Sequence, residues 1–289
     1  MKPDSVLDVN ASKKLSAQDE TAVAVKFDAA RALLDFVKEN GLKVHGHVLV
    51  WHSQTPEAFF HEGYDAARPY VGRDVMLGRM KNYIKAVFEY TETNYPGVIV
   101  SWDVVNEAID DGTNKLRQSN WFKTVGEDFV LRAFEYARKY APEGTLLYYN
   151  DYNTAMPGKL NGIANLLKAL IAEGNIDGYG FQMHHSVGFP SMEMISASVE
   201  RIAGMGLKLR VSELDVGTDG NTESSFTKQA EKYAAIMRLL LDYKDQMEAV
   251  QVWGLTDDMS WRRANYPLLF DGKFNPKPAF YAVADPYAK

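Results

Sequence analysis

None of the 289 positions is a cysteine. That excludes disulfides and thiolate metal sites, and it leaves the compartment unread, because many secreted proteins also lack cysteine. Long apolar runs are missing too; none approaches the ~20 residues of a membrane-spanning helix, so no membrane partner is expected. The start, Met1-Lys2-Pro3-Asp4, has no apolar stretch of the signal-peptide kind. Positive charge is in short supply: 32 Lys and Arg against 38 Asp and Glu leave a net charge of −6. Phosphate binding needs clustered cations, so no nucleic-acid partner is expected. Acidic residues are spread along the chain and form no tail. There is no low-complexity linker, and no repeat beyond the β–α pattern described next. One domain covering residues 1–289 is expected.

Apolar β-branched runs alternate with helical patterns. Val44–Trp51, Val98–Asn106, Thr145–Asn150, Asp177–His184, Leu207–Leu214 and Ala249–Leu255 read as strands. Helical periodicity covers Lys26–Asn40, Val75–Thr93, Phe122–Lys139, Lys159–Glu173, Met192–Met205 and Thr227–Tyr243, and a short helix follows Pro278. Gly41 is placed to stop the first of these. Ser12–Thr21 is polar and reads as a loop. Repeated β–α units predict an α/β fold with a parallel sheet, and their number in one domain favours a (β/α)8 TIM barrel. Only six strands are read, and the first 25 residues hold none.

In a parallel barrel the reacting groups sit where strands end. The strand ends here carry His47, Trp51 and His52; Asn106 and Glu107; Asn150, Asp151, Tyr152 and Asn153; Gln182 and His184; Glu213 and Asp215; and Trp253, then Trp261. A structural protein has no reason to load one rim this way. Flat indole and phenol rings near carboxylates suit sugar binding, although most rings in any protein are core. His184-His185 invites a metal reading, but no H-E-x-x-H spacing supports it, and no metal is expected.

Two glutamates on separate strands suggest glycoside hydrolysis. One carboxylic acid protonates the leaving oxygen, and a second carboxylate works at the anomeric carbon. A pair about 5–5.5 Å apart gives direct attack and retained configuration. Asn106 could hold a sugar 2-hydroxyl or orient the nucleophile. His184 and Asp215 could hydrogen-bond Glu213. Environment would then separate two identical side chains into acid and nucleophile.

These residues match a known pattern. Met1–Asp4, Gly46-His47-Val48-Leu49-Val50-Trp51-His52-Ser53-Gln54 and Trp102-Asp103-Val104-Val105-Asn106-Glu107-Ala108 take part. So do Tyr149–Asn153, Gly180-Phe181-Gln182-Met183-His184, Ser212-Glu213-Leu214-Asp215, and Trp253 through Trp261-Arg262. The chain resembles the family 10 glycoside hydrolases, retaining endo-β-1,4-xylanases with (β/α)8 barrels, over essentially its whole length. The resemblance implies hydrolysis of internal bonds of xylan by double displacement, without a cofactor. Glu107 would be the acid/base, Glu213 the nucleophile, and Asn106 the group holding the 2-hydroxyl, with His184 and Asp215 supporting Glu213. Lys2, His47, Trp51, Gln54, Gln182, Trp253 and Trp261 would line the non-reducing side of the cleft, and Tyr152 would face the leaving group. Xylan and xylooligosaccharides are the expected partners, a monomer the expected state, and secretion the expected fate of the parent protein.

One departure stands out. Family members carry a first strand, a first helix and most of a second strand ahead of the motif at Met1, and these are expected to be absent from this chain. An incomplete barrel would expose the Val44–Trp51 strand along an unpaired edge. The competing reading is therefore a catalytically impaired fragment, or a non-catalytic glycan-binding protein on the same scaffold.

Overall fold

The computed structural model describes residues 1–288. Helices α1 (Pro3–Val6), α2 (Val9–Leu15) and α3 (Asp28–Glu39) precede the first strand, β1 (Val44–Trp51). There follow α4 (Arg73–Asn94), β2 (Ile99–Asn106), α5 (Asn120–Val125), α6 (Phe129–Tyr140), β3 (Leu146–Asp151), α7 (Pro157–Ala172) and β4 (Gly178–Phe181). The chain ends with β5 (His184–Ser186), α8 (Met192–Ala203), β6 (Lys208–Gly217), α9 (Glu223–Leu241), β7 (Met247–Val252) and α10 (Pro278–Ala284). Tertiary contacts group these elements into two compact units. The first holds Met1–Asn150 with Asn165–Asp177; the second holds Asp151–Ala164 and the chain from Gly178 onward.

In the first unit β1, β2 and β3 pair in parallel, in that order. Their apolar residues form a packed interior: Val48, Leu49, Val50 and Val104 are fully buried. The register sets His45 against Ser101, His47 against Asp103 and Trp51 against Asn106. Gly46, between the two histidines, is a glycine for a steric reason. A Cβ there would lie 2.3 Å from the indole of Trp102, which packs flat against the strand. Among the described residues β1 pairs with only one strand, β2, so it is an edge strand; Met1 also meets it, its carbonyl accepting from Val48 N at 2.8 Å.

Helix α4 buries Met76, Met80, Tyr83, Ile84 and Phe88. The same face carries a fully buried Arg79. Its guanidinium donates to the carbonyls of Glu20, Phe59 and His61 and to the Glu20 carboxylate, and it lies 3.8 Å from the Tyr64 ring. One buried cation thus ties the segment after β1 to the helix.

Two expectations in this unit need correction. Ser12–Thr21 is not wholly a loop: α2 runs into it, started by the Asp8 carboxylate, which accepts from Ala11 N at 2.9 Å. The Phe122–Lys139 pattern is two helices, not one. Gly126 at φ 103° separates α5 from α6, a conformation closed to residues with a side chain.

In the second unit β6 is the central strand, parallel to β4, β5 and β7. The expected single strand Asp177–His184 is broken after Phe181. Phe181 pairs with Val211 and His184 with Asp215, so three steps on one side face four on the other. Met183 absorbs the mismatch at φ 59°. Such an irregularity re-aims side chains at a strand end, and here it brings His184 level with Asp215. From α9, Gln229 Nε2 donates to the Val216 carbonyl at 2.6 Å, and Tyr233 OH to the Pro267 carbonyl at 2.7 Å, pinning the helix behind β6. Strand β7 stays half-exposed along its length, paired with β6 alone among the described residues.

Candidate active site

Glu107 follows the last residue of β2 with its backbone left-handed, φ 57°. Few residues other than glycine adopt this conformation, which costs about 1–3 kcal/mol and concentrates at functional sites. The turn is held by Glu107 N donating to the Asn150 carbonyl at 2.9 Å and by Arg117 Nε donating to the Glu107 carbonyl at 3.3 Å. The Glu107 carboxylate then meets the indole of Trp51, whose Nε1 donates to Oε2 at 3.0 Å. The ammonium of Lys2 sits 5.3 Å from the centre of the Trp51 ring. Asn106 is buried, its Oδ1 accepting from Asn150 Nδ2 at 3.0 Å. His47 is fixed by Asp103, with 2.8 Å between Nδ1 and Oδ2. The first unit therefore gathers Lys2, His47, Trp51, Asn106 and Glu107. Gln54 lies in the segment just after β1, half-buried.

Glu213 lies within β6, 5% exposed. His184 is the hub of this half. Its Nε2 is 3.1 Å from Glu213 Oε2 and its Nδ1 2.8 Å from Asp215 Oδ2. Burial alone would lower the pKa of His184, but the two carboxylates outweigh it and raise the value to about 9. The ring is thus an imidazolium at neutral pH. Asp215 is buried and takes a second cation, Arg262, on its other oxygen. Trp261 packs its ring edge-on at 5.1 Å from His184 and leaves 67% of its surface open. Gln182 is buried beside this strand, its N donating to the Asp151 carbonyl at 3.1 Å. Trp253 N donates to the Leu214 carbonyl at 3.0 Å. Tyr152 stacks under the buried ammonium of Lys159, 4.1 Å away, which also pairs with Asp151 at 3.1 Å.

The sequence profile of glycosyl hydrolase family 10 matches residues 2–286. The chain belongs to glycosyl hydrolase family 10. Endo-1,4-β-xylanase B of Butyrivibrio fibrisolvens is 40% identical to it, over 98% of this chain and 46% of that protein. A putative endo-1,4-β-xylanase of Caldicellulosiruptor saccharolyticus is 39% identical, over 98% of this chain and 95% of the relative. Among solved structures, the N-terminal endo-1,4-β-D-xylanase 10B of Clostridium thermocellum, complexed with xylohexaose, superposes with a TM-score of 0.91 at 35% identity. That match covers 99% of this chain and 59% of the other. The chain thus spans about half the length of the first of these relatives. Family 10 carries the fold class expected from the sequence, α/β with a (β/α)8 barrel, and it is a retaining family of hydrolases.

Two residues that organise these groups, Arg117 and Lys159, were not singled out in the sequence, whereas Asn150 and Arg262 were. Arg117 and Asn150 hold the Glu107 turn, Arg262 neutralises Asp215, and Lys159 braces Tyr152. Arg117 and Lys159 left no local signal, since each reaches its partner from a separate segment. Asp103 was legible in principle: His45 and His47 on one strand and Ser101 and Asp103 on the next both place polar groups at alternate positions of otherwise apolar runs.

Proposed function

We propose that this family 10 glycosyl hydrolase is a retaining endo-β-1,4-xylanase, with Glu107 as acid/base and Glu213 as nucleophile. The observation that carries the assignment is the His184 clamp. A cationic imidazole on Glu213, itself backed by Asp215 and Arg262, pairs with negative charge at that carboxylate. A nucleophile needs that pairing; an acid does not. Glu107 instead receives a neutral indole N–H on one oxygen, and its place at the end of β2 suits the acid/base role.

The reaction then runs in two displacements. The Glu107 carboxylic acid gives its proton to the glycosidic oxygen as the Glu213 carboxylate attacks the anomeric carbon. The leaving chain departs with its hydroxyl restored, and a glycosyl ester remains on Glu213. The Glu107 carboxylate next takes a proton from water, whose oxygen attacks the same carbon and releases Glu213. Two inversions leave the configuration retained. Asn106 holds the 2-hydroxyl of the sugar under attack. Lys2, His47, Trp51, Gln54, Gln182, Trp253 and Trp261 receive the sugars on the non-reducing side, and Tyr152 the leaving-group side.

The substrate class is tested by reducing ends released from xylan and from cellulose at equal mass. Xylan is expected to be strongly preferred, with internal cleavage seen as an early fall in viscosity. A preference for cellulose, or release of single sugars without chain shortening, would overturn the reading.

A further inference from the structure

Asp103 is a buried carboxylate shared by two histidines, and only one of the two belongs to the proposed cleft. His47 Nδ1 lies 2.8 Å from Oδ2, and His45 Nε2 lies 3.0 Å from Oδ1, an approach too bent for a linear hydrogen bond but well within ion-pair range. His45 Nδ1 meets Ser101 Oγ at 2.7 Å. The Tyr148 ring closes edge-on at 5.6 Å from the third strand, so the His45 imidazole is confined from three sides. Burial pushes the Asp103 carboxyl up, but the two rings outweigh it and hold it well below the usual carboxylate range.

We infer that His45 is a positioning residue that fixes the tautomer of His47 through Asp103. An ionised carboxylate only accepts hydrogen bonds, so the proton facing it must be on His47 Nδ1. In the neutral ring that leaves Nε2 as an acceptor, suited to a sugar hydroxyl. His47 is the more open of the two rings, 15% exposed against 6%, and it flanks Trp51. With the His45 proton on Nε2, facing the Asp103 carboxylate, Nδ1 is left to accept from the Ser101 hydroxyl. Without His45, Oδ1 loses the cationic or N–H group that faces it among the described residues, and the buried carboxyl can take up a proton. It would then donate to His47 Nδ1, shift the imidazole proton to Nε2 and turn an acceptor into a donor at the sugar. The role of the His47 contact rests on the proposed function; the tautomer control does not.

The test is His45→Phe beside His45→Gln, whose amide nitrogen can stand where Nε2 stands. Imidazole nitrogen chemical shifts report the His47 tautomer, and steady-state kinetics on xylooligosaccharides report its use. Wild type and His45→Gln are expected to show the Nδ1–H form and KM values within about 2-fold of each other. His45→Phe is expected to show Nε2–H signal and a KM raised about 5–10-fold with kcat within about 2-fold, the mark of a contact made equally in ground and transition states. Should His45→Phe not fold, His45→Asn, too short to reach Asp103, carries the same expectation. A variant without a nitrogen at Nε2 that keeps the Nδ1–H form and the wild-type KM while losing thermal stability would overturn the proposal. So would His45→Gln behaving like His45→Phe. If wild type does not cleave xylan, the proposed function fails, while the nitrogen shifts still decide the role of His45.

Discussion

His184 Nε2 lies 3.1 Å from Glu213 Oε2, and the other nitrogen of the same ring is taken by Asp215 at 2.8 Å. A histidine in that position is held charged well above its ordinary range, to about 9 against 6.5. The sign of the linkage follows. The folded-state pKa is raised, so the stabilisation is fully present below about pH 6.5 and is lost as pH rises through about 9. Its size is on the order of 3 kcal/mol. Denaturant unfolding from pH 6 to pH 10 should show this loss in wild type and not in His184→Gln. Parallel pH curves for the two proteins would contradict it.

Glu107→Gln should lower turnover on xylan by about 10²–10⁴-fold, because an amide has no proton to give. Aryl xylobiosides with acidic leaving groups need no protonation, so their first step should be nearly spared. The alkaline limb of the rate profile should flatten with it. An unchanged alkaline limb, or equal losses on xylan and on the activated aryl substrate, would remove Glu107 from the acid role.

Arg79→Met should destabilise the protein by on the order of 3 kcal/mol, because it removes one carboxylate contact and three carbonyl contacts from a buried position at once. Amide exchange should accelerate in the Phe59–Tyr64 segment more than in β2. Uniform acceleration across both would mean that Arg79 does not specifically anchor that segment.

Gly46→Ala should cost about 1–3 kcal/mol or more through overpacking against Trp102, whose indole leaves no room for a methyl group. The paired variant Gly46→Ala with Trp102→Leu should recover part of the loss. Thermal unfolding of the single and double variants measures this, and no recovery would mean the strain lies elsewhere.

Strand periodicity and the strand-end residues were legible in the sequence because β1, β2 and β6 are rich in valine, leucine and isoleucine. Their polar residues stood out for that reason: Asn106, Glu107, Glu213 and Asp215 interrupt runs of valine and leucine. What could not be read came from three-dimensional fit. The break between β4 and β5 depends on a register mismatch with β6, and the expected strand there had no local reason to stop. Gly126 divides α5 from α6 through its dihedral angles, while the helical periodicity on either side reads as continuous. Arg117, Lys159 and Arg262 act from segments outside the strands they serve, so spacing along the chain could not connect them.

Glu213 as the nucleophile is the central claim, and covalent trapping tests it most directly. A 2-deoxy-2-fluoro xylobioside with a good leaving group should let the first displacement proceed and slow the second. Peptide mapping by mass spectrometry should then place one fluoro-xylobiosyl unit on the peptide containing Glu213, with the label absent from Glu213→Ala. A wild-type enzyme that cleaves xylan yet carries the label on another residue, or takes none and releases product of inverted configuration, would contradict the account.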